Sequence, residues 1–329
     1  MPINELTIAY YVISKNVYFL YSKFYGYTSD ALQILPYNIG KERKEMFVII
    51  GFVVVIVSVF GGFVLEGGSL AVIIQPVEFL IIGGAAIGAL FISAPASLLK
   101  EIMGKTMGTF KGSSINKQTY LDLLKLLFDV FQLSRKEGLI ALEGHIENPE
   151  NSALFSQYPQ VINNHHRLHF ICDTFRLVVL GGIAAHDMEA LMDCDIETHH
   201  HEGTKPGMIL QKIGDSMPGL GIVAAVLGIV ITMQAIDGPP EVIGHKVAVA
   251  LVGTFLGIYL SYGFIQPLAT NIDMANDEES KIFETIKSGM IAFAKGLNPI
   301  IAVEFARRTI PSEYRPEFQE MEKHVKGKN

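Results

Sequence analysis

Four stretches of the chain, 46–65, 79–99, 217–236 and 247–272, carry no charged side chain. Each meets the requirement of about 20 apolar residues for a helix that crosses a bilayer, so the pattern predicts four transmembrane helices. Buried helices of a large soluble core would show polar faces within runs of this length. Between the second and third runs the pattern changes. Leu121, Leu124, Leu127, Phe128 and Phe131 recur at three- and four-residue spacing, which predicts an amphipathic helix that weakens near Gly138 and stops before Pro149. The stretch 170–202 has similar mixed periodicity. The expected fold is therefore an all-α membrane protein, with a helical bundle between helices two and three.

Charge gives this pattern a direction. Lys41, Arg43 and Lys44 precede the first run, Lys100 and Lys105 follow the second, and the link between those runs has no positive charge. Both termini are expected on the cytoplasmic side. The predicted layout is helices one and two at 46–99, a cytoplasmic domain at 100–210, helices three and four at 211–272 and a cytoplasmic tail at 273–329. Half of the 329 residues are hydrophobic and only 18% are charged, with a formal net charge of −7. These values favour lipid over nucleic acid as a partner. Cys172 and Cys194 fall in the predicted cytoplasmic domain, where free thiols acting as small buried residues are expected.

Two prolines interrupt the apolar runs. Pro218 lies near the start of the third and Pro267 near the end of the fourth, so both are expected at one depth on the cytoplasmic side. Each removes a backbone donor and frees a carbonyl one turn back, at Gly214 and Gly263. The pair reads either as static kinks or as hinges. Small residues recur along the same helices: Gly221, Ala224, Ala225 and Gly228 on the third, Gly253 and Gly257 on the fourth. Such stripes let helices approach closely. The runs hold no Asp or Glu at mid-membrane depth, because Glu78 is expected at the outer edge of the second helix and Asp215 at the inner edge of the third.

The stretches "GGSLAVIIQPVEFLIIGGAAIG", "SRKEGLIALEGHIENP", "GDSMPGLGIVAAVLGIV", "VGTFLGIYLSYGFIQPLAT" and "PIIAVEFARRTI" carry a specific likeness. From about Met46 almost to the C-terminus the chain resembles the MotA family, the ion-motive subunits of the bacterial flagellar stator. The resemblance implies a multi-pass protein of the bacterial inner membrane. In the family, five such chains surround two copies of a MotB-like chain, whose carboxylate takes up the translocated ion. The resemblance favours a partner-packing role for the small residues on the partner-facing side of helices three and four, packing within one chain being the alternative, and it fits Pro218 and Pro267 as conformational hinges. Ala225 and Thr254 match the positions lining the ion path. Sodium-driven members have a threonine at both, and hard cations need such oxygens, so the alanine at 225 favours protons. Arg135 and Glu143 match residues that family members use against the rotor protein FliG. Without the resemblance both read as ordinary solvated helix charges.

Other chemistries have weaker signals. His165 and His169 share a helix face and His199, His200 and His201 cluster, but no H-E-x-x-H accompanies them. Neither a G-x-x-x-x-G-K-[ST] phosphate loop nor a G-x-S-x-G elbow is present. No cofactor and no enzymatic activity are expected. The alternative within reach is an energy-transducing scaffold of the ExbB and TolQ kind, which usually has three spans and an external N-terminus. Residues 1–45 have no counterpart in the family. The purine-rich coding potential of "GKERKE" ahead of Met46 leads to the expectation that translation starts at Met46 and that the preceding residues have no fold of their own. An interfacial amphipathic helix is the alternative for that segment.

Overall fold

The computed structural model describes residues 39–112 and 115–327, with side chains from Phe47 onward. The chain divides into two units, Met1–Arg43 and Lys44–Asn329, and the second holds nearly all of the described residues. The proposed extension at 1–45 lies outside the described residues apart from the first turns of one helix. Among the described residues every regular element is helical. In chain order the α-helices are α1 Ile39–Leu65, α2 Leu70–Ile73, α3 Pro76–Ser93, α4 Ala96–Thr109, α5 Lys117–Glu137, α6 Glu143–Glu147, α7 Pro159–Ile162, α8 His165–Leu180, α9 Ala185–Met233, α10 Pro240–Leu260, α11 Gln266–Ala294, α12 Pro299–Thr309 and α13 Phe318–Val325. A turn of π-helix, Ser261–Ile265, joins α10 to α11.

Four helical segments are long and apolar enough to cross a membrane: Phe47–Leu65, Leu70–Ser93, Ala185–Met233 and Pro240–Ala294. Large apolar side chains point outward from them, among them Leu80, Phe91, Ile92 and Ile222, as lipid-facing positions must. The second segment is broken. Residues Ile74 and Gln75 leave helical geometry, Pro76 starts α3 at a position that needs no N–H, and Gln75 Nε2 donates to the Val72 carbonyl at 3.0 Å.

The third and fourth segments extend far beyond a bilayer. α9 has 49 residues, which at 1.5 Å each makes a rod of about 70 Å. α10, the π turn and α11 form a second continuous rod from Pro240 to Ala294. The expected boundaries at 210/211 and 272/273 therefore fall inside unbroken helices. Gly207, Gly214, Gly221 and Gly228 lie seven residues apart along α9, a repeat that keeps one narrow stripe toward a neighbouring helix. That neighbour is the second rod. A methyl group placed on Gly221 would lie 2.7 Å from the Gly253 carbonyl oxygen, one on Gly228 would lie 2.7 Å from Ala250 Cβ, and one on Gly257 would lie 2.5 Å from the Met217 carbonyl oxygen. Gly214 faces Gln266 in the same way, at 2.9 Å, and Gly207 and Gly203 are covered by Asp273 and Asn276. Of the two readings of Gly221, Gly228, Gly253 and Gly257, these distances carry packing within one chain: their absent side chains bring the chain's own two rods together.

The polar part of the molecule is one helical body with a shared core. α5 begins with a capping box between Asn116 and Thr119 and buries Tyr120, Leu123, Leu124, Leu127 and Phe131. It ends at Glu137 because Gly138 adopts φ +87°, a region open to glycine. The same core takes Ile282, Phe283, Ile286 and Met290 from α11 and Ala302, Val303 and Ala306 from α12, so segments 100–210 and 273–329 pack together. Phe131 and Phe293 stack with centroids 4.4 Å apart. Arg167, almost fully buried, donates from Nε to Glu279 Oε1 at 2.7 Å and ties α8 to α11. Both cysteines are free; Cys172 is buried, its thiol pushed up to about 12 first by burial, whereas Cys194 is exposed and not the buried residue expected.

Replacing Gly by Ala inside a helix normally stabilises by about 1 kcal/mol. Gly219→Ala, in α9 with open space around it, should follow that rule. Gly257→Ala should reverse it, costing about 1–3 kcal/mol, because backbone atoms on α9 meet the methyl and cannot rotate away. Thermal unfolding of the two variants in lipid nanodiscs checks the opposite signs.

Candidate functional site

The two sequence-predicted prolines meet across the glycine stripe. Pro218 lies within the unbroken α9, where its ring replaces the N–H that Gly214's carbonyl would accept. That carbonyl is satisfied from the other rod: Ser261 Oγ donates to it at 2.7 Å, and Ser261 is fully buried. Ser261 opens the π turn, in which the Gln266 N–H reaches back to the Ser261 carbonyl instead of one residue nearer. Pro267 follows immediately and is exposed, so the wide turn falls where that proline deprives the helix of a donor. Gln266 Nε2 donates to Ser261 Oγ at 3.1 Å and to Asp215 Oδ1 at 2.9 Å, and Gln211 donates to the same oxygen at 3.0 Å. A polar junction thus clamps the rods at the proline level.

Ser261 and Gln266 were not singled out in the sequence, although "LSYGFIQP" places a serine and a glutamine within two turns of a proline in an otherwise largely apolar run. Pro206 was missed too. It lies buried inside α9, and beside it Lys105 Nζ donates to the Gly203 carbonyl at 3.0 Å.

Ala225 and Thr254 lie side by side on the rods. A methyl on Gly253 would come within 3.1 Å of the Ala225 nitrogen, and one on Gly221 within 3.2 Å of the Thr254 Cα; both residues are half-buried. Each lies seven residues from the proline level, Ala225 from Pro218 and Thr254 from Ser261, or about 10 Å along the helix. Glu78 belongs to this level. A methyl on Gly253 would touch Glu78 Oε2 at 2.7 Å and Ala224 Cβ at 3.0 Å, and Gly253 is thirteen residues, about 20 Å, beyond the start of α10. The break after α2 lets the first turn of α3 begin here, beside Gly253 of α10 and Ala224, which lies nine residues before the end of α9.

Arg135 and Glu143 are exposed and far along the chain from the proline level, in the polar body. Arg135 is in the last turn of α5 and Glu143 starts α6, with the Gly138 corner between them. Of their neighbours, Glu147 is paired with Arg176 at 3.0 Å.

Among the described residues no group of three His, Cys, Asp or Glu side chains is arranged to hold a metal ion. His165, His166 and His169 are exposed on α8, and His200 Nδ1 lies 2.9 Å from Ser280 Oγ. His199 borders a cavity of about 730 Å³ also lined by Glu101, Lys105 and Glu279, and burial holds its imidazole below the ordinary value.

An all-helical fold with four membrane-capable segments, two of them running on into one polar body, defines the molecule as a polytopic membrane protein. Residues 49–138 match the Motility protein A N-terminal family, and residues 164–285 match the MotA/TolQ/ExbB proton channel family. The chain is 43% identical to Motility protein A of Salmonella typhimurium over 282 residues, 86% of this chain and 96% of that protein. It is 42% identical to Motility protein A of Escherichia coli over the same shares. Among solved structures, C. jejuni MotAB superposes with a TM-score of 0.67 over 82% of this chain and 96% of that one, at 21% identity. The flagellar MotAB stator complex from Bacillus subtilis superposes at 0.66, at 24% identity and over 81% and 96% of the two chains. The chain belongs to the Motility protein A family.

If Ser261 substitutes for the bond that Pro218 removes, the two positions must be coupled. Ser261→Ala should cost about 1–2 kcal/mol in the native background, by leaving a buried carbonyl without its donor. In a Pro218→Ala background, where residue 218 again has an N–H, the same change should cost close to nothing. A double-mutant cycle of unfolding midpoints checks this.

Proposed function

We propose that this chain is the ion-motive subunit of a flagellar stator: with a MotB-like partner it forms a proton channel and converts ion flow into torque on the rotor. The observation that carries this reading is the 43% identity to Motility protein A, which runs through nearly the whole of that protein. The match of residues 49–138 to the Motility protein A N-terminal family favours the stator over an ExbB- or TolQ-like scaffold. On this reading the protein lies in the bacterial inner membrane with both termini cytoplasmic, and the polar body faces the rotor. Five copies surround two of the partner.

The mechanism follows from the two rods. A carboxylate of the partner accepts a proton beside Ala225 and Thr254, which changes the local charge on one side of the glycine stripe. The rods are single helices into the polar body, so a change in their packing at that level is transmitted to it as a rigid-body motion. Pro218 and Pro267 are positions on the facing rods where a backbone bond is missing at one level, so that both can bend there at low cost. Arg135 and Glu143, exposed and of opposite sign, meet FliG through solvated contacts weak enough to release at every step. Of the two positions matched to the ion path, only 254 carries a hydroxyl, 225 being alanine, which favours a proton over a sodium ion.

A deletion strain carrying this gene on a plasmid should swim in sodium-free medium and stop when an uncoupler collapses the proton gradient. Sodium-dependent swimming would contradict the ion assignment, and paralysed flagella despite normal protein levels would contradict the function. Arg135→Glu and Glu143→Lys should each slow swimming without lowering the amount of protein, and a reversed charge on FliG should restore part of the speed. Failure of every compensating reversal would assign these side chains a structural role.

A further inference from the structure

Glu78 has no part in the mechanism above, yet it is the most unusual side chain of the membrane-capable segments. Only 5% of it is exposed, and no described donor reaches the buried Oε2. Around the Cβ position of Gly253, Oε2 is joined by Ala224 Cβ and the Ala225 nitrogen, and the next turn of α3 buries Ile82 in the apolar cluster that also holds Ala224, Val252 and Leu256. A carboxyl group there costs stability that a leucine would not, since it carries charge only when a donor, water or cation reaches it. Its position is also enforced. Gly253 leaves the gap into which Oε2 fits, and any side chain at 253 would close it. A carboxyl oxygen is thereby held against the backbone of α10, one residue from Thr254 and beside Ala225.

We propose that Glu78 is a second proton-exchanging group of the transport route, handing its proton to the partner's carboxylate at the Ala225 and Thr254 level. The inference rests on the stator reading. The O–H bond at Glu78 breaks as one forms on the partner's carboxylate, directly or through one water molecule. Glu78 is then protonated again from the side of high proton concentration, so that one proton enters for each delivered and nothing is oxidised or reduced. A carboxyl group behind the ion-path face lets the partner's site be refilled without continuous water across an apolar layer.

The test uses the full stator in a deletion strain, with swimming speed and single-motor speed at low load measured across external pH. Low load is the regime in which proton delivery limits rotation. Glu78→Gln keeps shape but cannot exchange a proton, and it should cut low-load speed by about tenfold or more, at unchanged protein level. Glu78→Asp should keep most of the speed with an altered pH profile, and Glu78→Leu should behave as Gln does. Native speed in Glu78→Gln, or a defect in Leu that Gln repairs, would overturn the proposal and leave Glu78 a packing residue. If the Gln protein fails to accumulate, the Asp variant decides: a speed and pH profile identical to the native chain would overturn the inference. Failure of the native gene to restore swimming is a different result, and it would strike the stator reading itself.

Discussion

Everything in this molecule depends on the close approach of two long helices whose facing side chains are missing. Each glycine on the stripe costs about 1 kcal/mol relative to alanine in a helix interior. The return is close approach along about half of α9, from Gly203 beside Asn276 to Gly228 beside Ala250, with backbone meeting backbone at Gly221 and Gly257. In lipid, where apolar side chains gain little by meeting one another, such contact is the main source of association between helices. Because both helices continue into the polar body, whose core includes α11, a shift in the stripe cannot remain local.

Two prolines interrupt the backbone bonding along the stripe. Pro218 opens one backbone bond on α9, and the π turn before Pro267 rearranges another on the facing rod. Ser261 and Gln266 close the exposed groups across the gap. The junction therefore has side-chain hydrogen bonds where a helix has backbone ones, and side-chain bonds can exchange partners without unfolding either rod. One heptad away lies the Ala225, Thr254 and Glu78 level, so the proposed site of ion uptake and the proline junction are spaced about 10 Å apart along the same two helices.

How much of this was legible in the sequence differs between levels. The four spans and the all-helical fold follow from runs that lack charge, and the amphipathic face of α5 from the spacing of Leu124, Leu127 and Phe131. The family was legible in motif strings that run through most of the chain. The facing of the glycine stripe was not: periodicity says that Gly221 and Gly228 share a face, but not which helix that face meets. The burial of Glu78 was also hidden, because charge-free runs fix which residues cross the membrane and not the level at which α3 meets its neighbours. The continuity of α9 through Pro206 and Pro218 rests on partners distant in sequence, since Ser261 lies 47 residues from the carbonyl it satisfies. Arg135 and Glu143 stand out through the resemblance alone; their exposed surroundings resemble those of other solvated charges.

The central claim is that ion uptake beside Ala225 and Thr254 moves the polar body through a bend at the proline level. Spin labels at Ile87→Cys on α3 and Leu191→Cys on α9, both at exposed positions, report on that motion once Cys194 is replaced by serine. The distance between them is measured by pulsed electron resonance in the assembled complex, with the partner's ion-accepting carboxylate intact and with it changed to the amide. The expected result is a shift of about 2 Å or more between the two states, lost when Pro218 is replaced by alanine. Identical distance distributions in both states would contradict the claim.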